Sequence, residues 1–203
     1  MGCSHYEQLA PIYDRKWRRY NERTLTAALD TLALSSAGRL LDIGCGTGEL
    51  ERLALRRFPR LEMTGLDVTS TMVAVAKEKL AGCPAVTFIM GHAEALPFGE
   101  GRFDAVVSAN MLHHVRQPRD MLRECVRVLR PGGQLVVVDW CVDVWPSRLL
   151  DWWSRLTDRT YVRMYRVREL RSLLEGVGVT VTQTRRFLAP PCYGMMCVSA
   201  LNQ

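Results

Sequence analysis

The segment Leu40–Leu50, LLDIGCGTGEL, decides the fold. Its first four residues are apolar except for Asp42, which predicts a buried parallel strand. Gly44, Gly46 and Gly48 follow at alternate positions, and a turn with almost no Cβ atoms lets a ligand approach the backbone closely. After the third glycine, apolar residues recur at helical spacing. A strand, a glycine turn and a helix in this order predict a nucleotide-type site at the carboxyl edge of a parallel sheet.

The glycine spacing narrows the class of ligand. A pyrophosphate cradle has the spacing G-x-G-x-x-G, whereas this chain has G-x-G-x-G and no GxxxxGK[ST] loop. A turn of this kind suits a cofactor without phosphate, and Asp42 lies where a carboxylate could hold a positively charged amino group. The segment resembles motif I, D-x-G-x-G-x-G, of the class I S-adenosylmethionine (SAM) methyltransferases. The resemblance implies SAM as cofactor, with a contact set of Asp42, Gly44, Cys45, Gly46 and Gly48.

A second strand is predicted over residues 61–67, and it also ends in an acid. A carboxylate at Asp67 can accept hydrogen bonds from both ribose hydroxyls, which is the role of this acid in the resembled family. The resemblance places Val68 and Met72 beside the adenine. The alternative is that Asp67 caps the helix that follows.

Residues 91–98, GHAEALPF, follow the third predicted strand and resemble the family segment GDAExLPF. That segment meets the adenine in the family. His92 stands where the family has an acid, and a neutral imidazole can still accept a hydrogen bond. Ala93 and Glu94 match the family, so His92, Ala93 and Glu94 are expected at the adenine.

The fourth predicted strand, residues 103–109, is followed by NMLHHV. This position faces the sulfonium in the resembled family, so Asn110 is expected at the methionine end of SAM. His113 and His114 are the only adjacent titratable pair in the predicted site, and either imidazole could take a proton from an acceptor near neutral pH. The alternative is that one or both pack under the edge of the sheet.

Residues 1–35 are predicted to form an arm and a helix, because aromatic and apolar residues recur there near helical spacing. The run LAPIYD resembles the arm that covers the cofactor in many small-molecule methyltransferases, and this places Tyr13 near the methionine end of SAM. The alternative is a helix that packs its aromatic residues on the core.

Residues 140–166 are predicted to form a cap insert that holds four of the five tryptophans. In relatives, an insert at this point covers the acceptor pocket. Aromatic walls with arginines between them would suit a flat or apolar acceptor that carries negative charge. The alternatives are a helix that buries its own aromatic stripe and an amphipathic surface that touches a membrane.

Length and element order define the expected architecture. The 203 residues with 48% hydrophobic content predict one domain, residues 1–203. An LRPGG turn after a helix and a final antiparallel hairpin also match the resembled family. The expected fold is α/β: a doubly wound, Rossmann-like, seven-stranded and mostly parallel sheet with an antiparallel last strand and helices on both faces.

Composition limits the classes of partner. No apolar run approaches the ~20 residues of a membrane span, and the N-terminus carries no apolar signal stretch. Seven scattered cysteines without a C-x-x-C pair predict reduced thiols in a cytoplasm and no metal site. The net charge of +6 could attract an anionic substrate or a membrane surface, or could reflect a solvated arginine-rich surface. The absence of an appended RNA-binding module argues against a nucleic-acid substrate.

The sequence therefore predicts a SAM-dependent methyltransferase that acts on a small-molecule acceptor, aromatic or anionic. The quinone-biosynthesis C-methyltransferases are distant relatives by this resemblance, although VVVDWC replaces their usual EFS. An NAD(P) oxidoreductase would have a similar fold, but this chain lacks the G-x-G-x-x-G spacing of such enzymes. A protein that binds SAM or a partner without catalysis is the other alternative.

Overall fold

The computed structural model describes residues 3–34, 37–145, 147–157 and 160–203. Positions 1, 2 and 35 of the predicted arm lie outside the described residues, as do positions 146, 158 and 159 of the predicted cap. In the described ranges, one sheet has the strand order β3-β2-β1-β4-β5-β7-β6. The strands are β1 Ala37–Ile43, β2 Arg60–Asp67, β3 Val86–Met90, β4 Phe103–Ala109, β5 Leu129–Trp140, β6 Val179–Ala189 and β7 Tyr193–Asn202.

The strand pairing confirms the predicted fold class. The first five strands pair in parallel, and β7 runs antiparallel to both β5 and β6. The strand order reverses beside β1, which lies between β2 and β4, and ligands of open α/β sheets bind at such a reversal. The glycine turn leaves β1 at that point.

Helices surround this sheet. The described helices are α1 Cys3–Leu9, α2 Tyr13–Thr31, α3 Glu49–Arg57, α4 Ser70–Lys79, α5 Pro118–Val128, α6 Ser147–Thr157 and α7 Val167–Glu175. Short 3-10 turns cover Ala10–Ile12 and Leu112–His114. Successive side chains of a strand point to opposite faces, and β1 accordingly sends Leu41 and Ile43 into the core under α5 and α7. Leu40 joins the core under α2 and α3.

The start of β5 differs from the expectation. The sequence predicts that the RPGG turn ends a helix before the strand begins, whereas β5 already pairs at Leu129. Phe103 pairs with Leu129 and Ala105 with Gln134, so residues 130–133 bulge out between two paired positions. The glycines permit this bulge, because a Cβ on Gly133 would lie 2.8 Å from a backbone oxygen.

Candidate functional site

The glycine turn is fixed to β2 through its backbone amides. The amides of Gly44 and Cys45 donate to the Leu66 carbonyl, and the amide of Gly46 donates to Asp67 Oδ2 at 2.9 Å. Gly44 and Gly46 both have positive φ, 76° and 52°. A Cβ on Gly46 would meet no atom within 4 Å, so this residue presents bare backbone to open space, as a ligand contact requires.

A small cavity of about 50 Å³ lies against this turn. The predicted cofactor residues that line it are Tyr13, Asp42, Gly44, Cys45, Gly46 and Asn110. They come from three separate parts of the chain: the arm, the glycine turn and the end of β4. Gly48 belongs to the same turn without lining the cavity, and its φ of 76° starts α3.

Asp42 is a buried carboxyl in the wall of this cavity. Burial raises its pKa to about 8, and the charge of Asp67 adds to the effect. Asp42 is therefore largely protonated at neutral pH when no cation is near. A cationic group placed beside it would favour the carboxylate, so the site is suited to an ammonium ligand and unsuited to a phosphate.

Asp67 performs two structural tasks at the end of β2. Its Oδ2 accepts from the Gly46 amide, and its Oδ1 accepts from the Thr69 amide at 2.8 Å, just before α4 begins. The capping alternative from the sequence is therefore present in the structure. The Thr69 side chain and the Val68 backbone also contribute hydrogen bonds to this carboxylate, so ribose hydroxyls would share its oxygens with these donors.

The predicted adenine contacts do not line the cavity. Met72 is buried in α4, and its place beside the adenine stays a prediction. Val68 is exposed next to Asp67. His92 and Glu94 are exposed in the turn after the edge strand β3, and Ala93 packs against the core.

The arm closes over the glycine turn. Asp14 accepts a hydrogen bond from the Thr47 hydroxyl at 2.5 Å and pairs with Lys79 of α4 at 2.5 Å. Burial, followed by the charges of Asp67 and Asp14, raises the pKa of Tyr13 to about 12. Pockets for small ligands usually exceed ~300 Å³, so this cavity of about 50 Å³ is too small for SAM. Its polar groups fit SAM, but the arm would have to move to make room for the molecule.

Asn110 is held by a network that the sequence did not reveal. Among the described non-glycine residues, Asn110 alone has a positive φ, 58°. Such a conformation tends to occur at functional sites. The Oδ1 of Asn110 accepts from the Tyr20 hydroxyl at 2.8 Å, and its Nδ2 donates to Thr24 Oγ1 at 2.9 Å. The indole of Trp140 donates to the same Tyr20 hydroxyl at 2.7 Å. Helix α2 and the end of β5 thereby fix the side chain in the wall of the cavity.

The two adjacent histidines have different surroundings. His113 is buried, with Nδ1 2.7 Å from Asp139 Oδ1, and its ring stacks on Trp140 at a centroid distance of 4.3 Å. His114 Nδ1 lies 3.0 Å from the Thr160 carbonyl oxygen and 3.2 Å from the Thr160 hydroxyl. With its proton on Nδ1, the ring donates to the carbonyl, which can only accept. Its Nε2 then accepts from the Tyr6 hydroxyl at 2.7 Å. The sequence missed Asp139, whose only signal is a lone acid inside the apolar run VVVDW.

The tryptophans of the cap do not wall a pocket. Trp145, Trp152 and Trp153 are 72%, 61% and 59% exposed, so the expected aromatic pocket is wrong for these three, and so is the alternative of a buried stripe. Trp140 instead lies inside, stacked between His113 and Tyr193. The face of α6 that carries Trp152 and Trp153 is turned to solvent.

Neither a membrane span nor a metal centre occurs among the described residues. No helix there is long and apolar enough to cross a membrane. No group of three or more His, Cys, Asp or Glu that could hold a metal ion occurs among the same residues.

Comparisons with known proteins agree with this geometry. Residues 41–137 match the family model described as a methyltransferase domain. The chain is 37% identical over 126 residues to the demethylmenaquinone methyltransferase of Thermotoga maritima, covering 62% of this chain and 51% of that protein. It is 33% identical over 147 residues to a ubiquinone/menaquinone biosynthesis C-methyltransferase of Syntrophotalea carbinolica, covering 66% and 59%. The chain thus spans between half and three fifths of these two relatives.

Solved structures show the same fold. The putative methyltransferase in a complex with the Haloferax volcanii Trm112 methyltransferase activator has a TM-score of 0.87 at 18% identity, covering 100% of this chain and 97% of that one. A Haemonchus contortus N-methyltransferase in complex with S-adenosylhomocysteine has a TM-score of 0.80 at 17% identity, covering 97% and 58%.

The glycine turn and the sheet order are those expected of a class I SAM-dependent methyltransferase, and residues 41–137 match a methyltransferase domain. SAM is the cofactor of that class, so the predicted cofactor is confirmed at the level of the class. Within it, the chain is similar to the quinone-biosynthesis C-methyltransferases.

Proposed function

We propose that this chain transfers the methyl group of SAM to a small-molecule acceptor whose aromatic ring carries a hydroxyl group. The observation that carries the proposal is the phenol of Tyr6, whose hydroxyl lies 2.7 Å from His114 Nε2. A phenol-type acceptor would present the same group to the same nitrogen after the arm withdraws Tyr6. The similarity to demethylmenaquinone methyltransferase supports a quinol as the acceptor class.

The residues around the glycine turn would hold the cofactor. Asp42 would face the amino group of SAM, Asp67 the ribose hydroxyls, and Asn110 with Tyr13 the methionine end. The exposed residues that could reach the adenine are Val68, His92 and Glu94, with the backbone of Ala93 beside them. When bound, SAM supplies a methyl group activated by a sulfonium.

His114 would act as the general base. Its Nδ1 proton is fixed by the Thr160 carbonyl, so Nε2 presents a lone pair that can take the proton of an acceptor hydroxyl. The resulting oxyanion would raise the electron density of the ring carbon beside it, which becomes the nucleophile. Attack of this carbon on the methyl group would break the S–CH3 bond and release S-adenosylhomocysteine, and the carbon would then lose its own proton to restore the aromatic ring. His113, locked to Asp139 and packed 4.0 Å from the His114 ring, would position that ring. Near-attack positioning of the two reactants can be worth ~7–11 kcal/mol.

Calorimetry with S-adenosylhomocysteine tests the cofactor site. We expect micromolar binding that the Asp67→Ala variant loses, and no comparable binding of NADH. A folded protein that binds NADH and not S-adenosylhomocysteine would overturn the proposal.

Transfer of labelled methyl to a short-chain demethylmenaquinol tests the acceptor class. His114→Asn should lower kcat by about 10²–10⁴-fold with little change in cofactor affinity, because loss of a general base has that size. Tyr6→Phe, which removes only the hydroxyl that occupies His114, should retain transfer. Equal losses in the His114→Asn and Tyr6→Phe variants would argue against His114 as the base.

A peripheral membrane contact through the exposed face of α6 would fit an acceptor with an apolar tail. Trp152 and Trp153 are suited to a membrane–water interface, because an indole has an apolar body and a polar N–H. Vesicle co-sedimentation with the Trp152→Ser/Trp153→Ser variant tests this contact. The cytoplasmic location and the single domain of residues 1–203 stay predictions.

A further inference from the structure

A second and larger cavity lies away from the glycine turn. It has a volume of about 560 Å³ and shares no lining residue with the cofactor cavity. Its walls are the first turns of α5 and α7 together with the segment of residues 162–165. Four arginines and one acid line it: Arg116, Arg119, Arg163, Arg168 and Glu169. We call this cavity the arginine groove.

One arginine of the groove is already neutralised. Arg163 Nη2 lies 3.0 Å from Glu169 Oε2, and its guanidinium lies over the Tyr165 ring at 4.6 Å. Glu169 also accepts from the Arg166 amide at 2.8 Å. The Arg163–Glu169 pair therefore contributes no net charge to the groove, and it holds the groove wall in place.

The other three arginines have no such partner. Arg116, Arg119 and Arg168 are exposed, and no ion pair to any of them occurs in the part of the chain that the structure describes. Some arginines elsewhere on the surface are paired, as Arg127 is with Glu124 at 2.7 Å and Arg130 with Asp104 at 2.5 Å. The groove thus gathers three uncompensated positive charges around one concave space.

We propose that the arginine groove binds a phosphate-bearing ligand. The planar guanidinium fork matches phosphate oxygens bidentately, and several forks around one cavity favour a multiply charged anion. The volume is that of a small-ligand site, and the Ser172 hydroxyl at its edge can donate one more hydrogen bond. The arginines carry the binding, since the Val167 amide at the start of α7 is already bonded to Asp143.

The test uses the full chain with inorganic pyrophosphate as the probe, measured by calorimetry at constant ionic strength. The groove variant is Arg119→Gln/Arg168→Gln. The matched control is Arg56→Gln/Arg60→Gln, which removes two exposed arginines outside the groove and changes the net charge equally. Circular dichroism and the melting temperature check that both variants are folded. A second arm measures binding to phosphatidylcholine vesicles with and without phosphatidylglycerol.

We expect the groove variant to weaken pyrophosphate binding by about tenfold or more, and the control variant by less than about twofold. If only the phosphatidylglycerol vesicles bind, and only the groove variant loses them, the phosphate belongs to a lipid headgroup. If neither probe binds, or if both variants weaken binding equally, the proposal is overturned. Binding is measured without SAM or acceptor, so the result is independent of the methyl-transfer proposal.

Discussion

Replacement of Glu51 by methionine should stabilise the protein. Glu51 lies in α3 with 0% exposure, and neither of its carboxyl oxygens has a hydrogen-bond partner among the described residues. Gly65 of β2 makes room for it, because a Cβ at that position would lie 2.6 Å from Glu51 Oε1. Burial, followed by the charge of Asp42, raises the pKa of Glu51 well above its usual range.

The size of the effect follows from the unmade hydrogen bonds. A buried polar group without a partner costs ~1–3 kcal/mol, and methionine fills nearly the same length without polar atoms. We therefore expect Glu51→Met to raise the free energy of unfolding by about 1–3 kcal/mol. For a chain of this length, each kcal/mol raises Tm by roughly 2–4 °C. Urea unfolding and calorimetry on the same samples would measure both quantities.

The gain should also grow with pH. The folded pKa of Glu51 lies above its unfolded value, so the folded state binds the proton more tightly. The stability that comes from this proton is fully present below the unfolded pKa and is lost as the pH rises through the folded pKa. The Glu51→Met variant lacks this loss, so its advantage over the wild type should increase above about pH 5.

The control for this experiment is Glu51→Gln. Glutamine cannot ionise but keeps polar atoms without partners, so it should reduce the pH dependence and give a smaller gain than methionine at acidic pH. If Glu51→Met lowers stability by more than about 1 kcal/mol while Glu51→Gln leaves it unchanged, Glu51 is hydrogen-bonded in solution and the reasoning is refuted.

Three further predictions concern the glycine turn and the arm. Asp42→Asn should weaken S-adenosylhomocysteine binding about tenfold by calorimetry, since it removes the carboxylate that balances the ligand's amino group; unchanged affinity would contradict this role. Gly46→Ala should lower the free energy of unfolding in urea by ~1–2 kcal/mol, because Gly46 has a positive φ. Gly44→Ala should lower it more, because a Cβ at Gly44 would also lie 2.6 Å from Met111. Equal losses in the two variants would contradict this steric effect. Asp14→Asn should speed proteolysis of the arm with at most ~1 kcal/mol lost in global stability; an unchanged cleavage rate would mean that other contacts hold the arm.

Local sequence patterns predict the frame of this protein well. The sequence predicts strand β1 over Leu40–Ile43, and the strand covers Ala37–Ile43. The predicted final antiparallel hairpin is present as β6 and β7. Such elements are encoded by neighbouring residues, because hydrophobic periodicity and glycine punctuation act within a few positions. The bulge after Leu129 escaped prediction because it depends on the register with another strand.

The candidate site was predicted only where a motif is continuous in sequence. Asp42 and Asn110 follow from motif positions, whereas Tyr20 and Asp139 act through partners that lie 90 and 26 positions away along the chain. No local pattern marks such partners. The sequence left three interpretations open for the tryptophans of α6, and their exposure fits the amphipathic surface. An amphipathic pattern defines an apolar face but does not say whether the rest of the chain covers it.

The acids around the glycine turn explain why this fold takes a cation where related folds take a phosphate. Burial raises the pKa values of Asp42 and Glu51, and the charge of Asp67 adds to the first shift and that of Asp42 to the second, so each negative charge makes the next one costlier. A pyrophosphate at the same turn would add further negative charge to a buried, acidic surface. A cationic ligand has the opposite effect, because its positive charge stabilises the ionised form of Asp42. The preference indicated by the glycine spacing is thus enforced by buried carboxyls, two of which lie outside the glycine motif itself.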